Sequence, residues 1–86
     1  MNKYDYIKHP TSVKILIQEL KRICDDYIAR RTPEDVLRYY VQYWATDSGG
    51  FLFNGNEGFN PTVQQRIGSK RLKLVNQMLD GMQHTL

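Results

Sequence analysis

The sequence predicts an all-α protein: three helices, with a Gly/Phe-rich loop between the second and the third. Three observations predict it. Apolar residues recur at intervals of three and four over long stretches, a proline follows a hydroxyl or amide side chain at two of the helix starts, and most glycines gather in one internal stretch. A chain of 86 residues supports one domain, 1–86, and a core of this size supplies only roughly 3–5 kcal/mol net.

The first helix is predicted from about residue 11 to 29. Val13, Leu16, Ile17, Leu20, Ile23, Cys24, Tyr27 and Ile28 fall on one side, while Lys14, Gln18, Glu19, Lys21, Arg22, Asp25 and Asp26 fill the other. Only Ile15 breaks the pattern. His9-Pro10-Thr11-Ser12 supplies the start signal, with Thr or Ser as the cap.

The second helix opens at Thr32-Pro33-Glu34-Asp35: a hydroxyl cap, a first-turn proline and two acids facing the positive end of the macrodipole. It follows Arg30-Arg31 so closely that the first two helices must form a tight hairpin. Val36, Leu37, Tyr40, Val41, Tyr43 and Trp44 cover nearly half of its surface, with Tyr39 at the margin, so it should be central or face a partner.

Four of the six glycines and all three phenylalanines lie between Asp47 and Asn60. Asn54-Gly55 is a favoured two-residue hairpin turn, and Phe51-Leu52-Phe53 fits a short strand before it. An isolated hairpin is marginal in water, so a loop anchored by its aromatic rings over the core is favoured above a sheet. Asn60-Pro61 then starts the last helix, expected to run to about Asp80. Gly68-Ser69 interrupts it, yet Val63, Ile67, Leu74 and Met78 keep helical spacing across the interruption, which favours one kinked rod and leaves a true break open.

The net charge of +3 is unevenly spread. Residues 1–65 carry eight bases and eight acids, whereas Arg66, Lys70, Arg71 and Lys73 face only Asp80 in the remainder. Attraction to an anion is therefore expected at the C-terminal end. Arg66, Ser69, Lys70, Arg71 and Lys73 are the candidate anion-binding set, since bases after a glycine and a hydroxyl suit a phosphate if the helix breaks at Gly68. Arg71 projects from an apolar stripe and demands a partner, either an external anion or a carboxylate such as Asp25, Asp26 or Asp47.

The stretch Phe51-Leu52-Phe53-Asn54, Phe59, then Val63-Gln64-Gln65-Arg66-Ile67-Gly68-Ser69-Lys70-Arg71-Leu72-Lys73-Leu74-Val75 and Met78-Leu79 resembles a family of short, functionally uncharacterised bacterial proteins found mainly in Firmicutes and their mobile elements. The family pattern is a glycine followed by bases and leucine, which Gly68, Lys70, Arg71 and Leu72 match; Ser69 stands where a second lysine is common. The resemblance implies a helical fold and an accessory role on a mobile element, without a substrate.

Catalytic chemistry is not assembled by any spacing in the chain, so no catalytic residue, no metal ligand and no cofactor is assigned and the protein is not read as an enzyme. His9, Cys24 and His84 are separated by whole helices, and the glycine-rich loop lacks a phosphate-loop lysine. Cys24 reads as a small core residue, and a single cysteine excludes an internal disulfide and suits the cytoplasm. No apolar run is long enough to span a membrane. Two functions remain. The basic C-terminal helix contacts nucleic-acid phosphates without strong sequence preference, or Tyr39, Tyr43, Phe51 and Phe53 dock a protein partner, a second copy of the chain included.

Overall fold

In the computed structural model, which describes residues 5–55 and 58–80, the chain forms helix α1 (Val13–Ile28), helix α2 (Glu34–Asp47), the single turn α3 (Gly49–Leu52) and helix α4 (Pro61–Leu79). All three predicted helices are present. Ser12 caps α1, its hydroxyl accepting the Ile15 N–H at 3.2 Å, and Asn60 caps α4 by accepting the Thr62 N–H at 2.9 Å. Both satisfy donors that the first turn leaves without a helical acceptor.

The turn between α1 and α2 closes by paired backbone bonds. Arg30 N–H donates to the Tyr27 carbonyl (3.0 Å) and Arg31 N–H to that of Asp26 (2.8 Å), a Schellman pairing that puts Arg30 in the left-handed region at φ 64°. Glycine usually occupies that position. The expected Thr32 cap on α2 is corrected: Pro33 is the cap residue and no side chain caps the helix. Thr32 is buried, and its hydroxyl lies 2.8 Å from that of Tyr6, which recruits it away from the helix end.

The segment before α1 straps across the α1/α2 hairpin. Tyr6 donates its hydroxyl to Asp26 Oδ2 (2.6 Å), Glu19 Oε1 accepts the Ile7 N–H (2.9 Å), and Trp44 Nε1 donates to the Ile7 carbonyl (3.0 Å). Glu19 is buried but also paired with Arg22 at 3.3 Å, so its charge is compensated. Burial first, and then the Asp26 carboxylate, push the Tyr6 hydroxyl pKa up to about 12.

The loop after α2 departs from the strand expected at Phe51-Leu52-Phe53. Phe51 and Leu52 N–H groups donate to the Ser48 carbonyl as one helical turn, which drives Leu52 wholly into the core. Among the described residues only a Phe53↔Phe59 bridge is sheet-like, closed by Asn54 N–H to the Gly58 carbonyl and Asn60 N–H to that of Leu52, each 2.8 Å. The turn is thus wider than a two-residue Asn54-Gly55 hairpin. The phenylalanines pack against the core as expected.

Leu16, Leu20, Ile23, Cys24, Leu37, Val41, Trp44, Leu52, Val63 and Val75 are completely buried where α1, α2 and α4 meet. α2 also closes the far end of α4: Arg38 donates to the Met78 and Asp80 carbonyls (3.3 and 3.0 Å) and Gln42 to that of Met78 (3.0 Å). These acceptors would otherwise be orphaned at a helix terminus.

Gly68 breaks α4. At φ 83° and ψ 163° it lies in a region open essentially to glycine, dividing the helix into residues 61–67 and 69–79. Each half keeps its own core contacts, Val63 and Ile67 in the first, Val75 and Met78 in the second. The aligned spacing that favours an unbroken rod therefore reports burial, with the backbone rotated between the two halves.

Two substitutions test the backbone argument by urea denaturation at pH 7. Gly68→Ala, which meets no atom within 4 Å, should lower stability by about 1–3 kcal/mol through strain alone. Arg30→Gly should raise it by roughly 1 kcal/mol, because the left-handed conformation no longer opposes a side chain.

Candidate anion-binding groove and the aromatic face

The C-terminal bases do not act as one set. Arg71 is used up internally: Nε and Nη2 donate to Oδ1 and Oδ2 of Asp25 at 2.9 and 3.0 Å, and Nη1 donates to the carbonyl of Ile67 at 3.0 Å. Ile67 is the last residue before the break. One guanidinium thus ties the kink to α1, and of the carboxylates open to Arg71 in the sequence, Asp25 is the partner. Asp26 is taken by Tyr6 and Arg31, and Asp47 by His9.

Arg66, Ser69, Lys70 and Lys73 are exposed, and none of the three bases forms an ion pair among the described residues. Lys70 and Lys73 stand three apart on the second half of α4. Arg66, on the first half, meets two bases that the count along the chain did not single out. A groove of about 440 Å³ between α1 and α4 is lined by Val13, Lys14, Ile17, Gln18, Lys21, Thr62 and Arg66.

No acid lines that groove. Of the α1 carboxylates, Glu19 holds the N-terminal strap, Asp26 holds Tyr6 and Arg31, and Asp25 holds Arg71. The even charge count over residues 1–65 therefore hides a local excess. The signal was present as Lys14, Gln18 and Lys21 at i, i+4 and i+7, which puts them on one side of α1.

The predicted partner-binding residues divide between two places. Tyr39 is 50% exposed and stacks on half-buried Tyr43 with ring centroids 6.2 Å apart, while the Lys8 ammonium sits 5.2 and 5.4 Å from the two rings. Phe51 borders a 230 Å³ depression with His9, Pro10, Asp47, Ser48 and Gly50. Phe53 instead packs against Phe59 with its ring tilted (centroids 5.5 Å apart) and lines a separate hollow with Ala45, Gly58, Asn76, Gln77, Leu79 and Asp80.

Sequence reasoning also missed a hydrogen-bonded relay at this face. His9 Nδ1 is 3.0 Å from Asp47 Oδ2, and its Nε2 is 3.1 Å from the Tyr43 hydroxyl. In the neutral ring this arrangement favours the Nδ1 proton facing the carboxylate, with Nε2 accepting from tyrosine. His9 is 68% exposed, and the three residues come from the strap, α2 and its end, so only folding reveals them.

Cys24 is completely buried, and burial raises its thiol pKa to about 12, which keeps it unreactive. Among the described residues no cluster of three His, Cys, Asp or Glu side chains has the arrangement of a metal site, and no helix is long and apolar enough to cross a membrane.

These features define a small all-helical protein with one basic groove and one aromatic face. The chain belongs to a family described as a conserved hypothetical protein, whose pattern matches residues 7–80. No curated protein and no solved structure matches the chain.

The Asp25–Arg71 pair makes a pH-dependent prediction. The hydrogen bonds from Arg71 hold the Asp25 carboxyl below its ordinary range, so its contribution is present above about pH 4 and is lost as pH falls through the lowered folded-state value. Both side chains are partly exposed, which limits the pair to about 1 kcal/mol. Asp25→Asn should cost up to that amount at pH 7, with the difference from wild type closing as the pH is lowered below about 4 in urea melts.

Proposed function

We propose that this is a non-enzymatic accessory protein that contacts the phosphate groups of nucleic acid without strong sequence preference. The observation that carries it is the groove in which Lys14, Lys21 and Arg66 converge without an acid. Lys70 and Lys73, exposed on the next segment of α4, extend the positive surface. Such a surface attracts a polyanion by counterion release and supplies no base-specific contact.

The reading without strong sequence preference rests on the break at Gly68, which divides α4 into segments of seven and eleven residues, each with one face packed on the core, Val63 and Ile67 in the first and Val75 and Met78 in the second. An accessory role on a mobile element accords with the resemblance carried by the Gly68–Leu72 motif. The second reading is a protein contact through Tyr39 and Tyr43, favoured by the half-exposed Tyr39 ring and by Ile7, 48% exposed on the adjoining strap.

Fluorescence anisotropy with labelled nucleic acid, duplex and single-stranded, at low and at near-physiological salt tests the first reading. Binding at low salt that weakens steeply at the higher salt, and is reduced by the triple substitution Arg66→Gln, Lys70→Gln, Lys73→Gln, is expected. No binding to either form at low salt would overturn it.

A further inference from the structure

We infer that the polyanion taken by the α1/α4 groove is a nucleic-acid duplex held by its phosphates, in preference to a single strand held by its bases; this rests on the phosphate-contact reading above. The groove presents its cations as a fixed array. Lys14 and Lys21 are two turns apart, about 10 Å along α1, and Arg66 faces them from α4. A duplex offers such an array one negative charge per roughly 1.7 Å of its axis, a density that a single strand does not reach.

The groove also lacks a stacking surface. Its lining contains no aromatic side chain. Proteins that hold single strands add base stacking on aromatic rings worth about 1–3 kcal/mol per base to the backbone attraction, and here an unstacked base would find no ring, only Val13, Ile17, polar chains and the single guanidinium of Arg66.

The aromatic rings are engaged elsewhere. Tyr39 and Tyr43 stack on each other under Lys8, Tyr43 also meets His9, Tyr6 packs edge-on to Tyr40, and Phe53 packs on Phe59. The Tyr39/Tyr43 surface is carried by α2 and the N-terminal strap, neither of which contributes a residue to the groove. Charge and stacking surface are thus separated, and only charge remains where the ligand binds. Shape and phosphate spacing then decide the choice of nucleic acid, which favours the stiff, regular backbone of a duplex.

The test compares a labelled duplex of about 20 base pairs with its single strand by anisotropy over a salt series. The duplex is expected to bind several-fold more tightly, with a slope of log affinity against log salt of roughly −3 for the three groove cations, steepening toward about −4.5 where Lys70 and Lys73 also meet phosphates. Lys14→Gln with Lys21→Gln should make that slope shallower by about 2, because exposed Lys14 and half-buried Lys21 both leave the contact and neither belongs to the core. Tyr39→Ser should change neither affinity. Equal or tighter binding of the single strand, or loss of binding with Tyr39→Ser, overturns the duplex assignment and leaves phosphate contact standing. An unchanged salt slope in the double lysine variant overturns the groove as its site. Absence of binding to both nucleic acids overturns the underlying reading as well, and binding of an acidic polypeptide such as polyglutamate under those conditions would assign the groove to a protein.

Discussion

The arrangement of α4 depends on the backbone of Gly68. A residue held at φ 83° and ψ 163° changes the direction of the chain between two buried apolar faces, so Val63 and Ile67 pack in one orientation and Val75 and Met78 in another. Breaking a helix leaves carbonyls without partners, and here Arg71 supplies one donor to Ile67 while its other two donors grip Asp25 on α1. Kink, cap and inter-helix tie are one structure built from four residues, Gly68, Ile67, Arg71 and Asp25.

That economy has an electrostatic consequence. Asp25 gives both its oxygens to Arg71 and is shared with Lys21, whose charge one turn away on the same helix still acts on its carboxylate. Glu19 and Asp26 are engaged by the N-terminal strap. The acids of α1 hold the fold through their hydrogen bonds and do not line the groove, where exposed Lys14 and half-buried Lys21 stand beside Arg66. A surface of one sign thus arises from a segment whose charges balance on paper, and its strength is set by which carboxylates the tertiary contacts consume.

The aromatic face has a different physical character. Stacked tyrosines under an ammonium, next to a histidine fixed between a carboxylate and a phenol, form a polar aromatic surface with its own internal partners. Its separation from the groove leaves one side of the molecule to charge and the other to rings.

The helices and their starts were legible because they rest on local physics: the 3.6-residue spacing of Leu16, Leu20 and Ile23, the cap at Asn60 with Pro61 behind it, and a cysteine in the middle of an apolar face. The basic character of Arg66, Lys70 and Lys73 was legible for the same reason, since exposed charges need only be counted. Four matters were settled by tertiary contact alone. Thr32 lost its capping role because Tyr6 reaches its hydroxyl, Phe51-Leu52 turned helical because the core takes Leu52, Arg71 chose Asp25 from three carboxylates, and Lys14 and Lys21 gained Arg66 as a neighbour. In each case the deciding group lies on another element, so no local pattern along the chain could name it, whereas spacing and capping are written within a few residues of where they act.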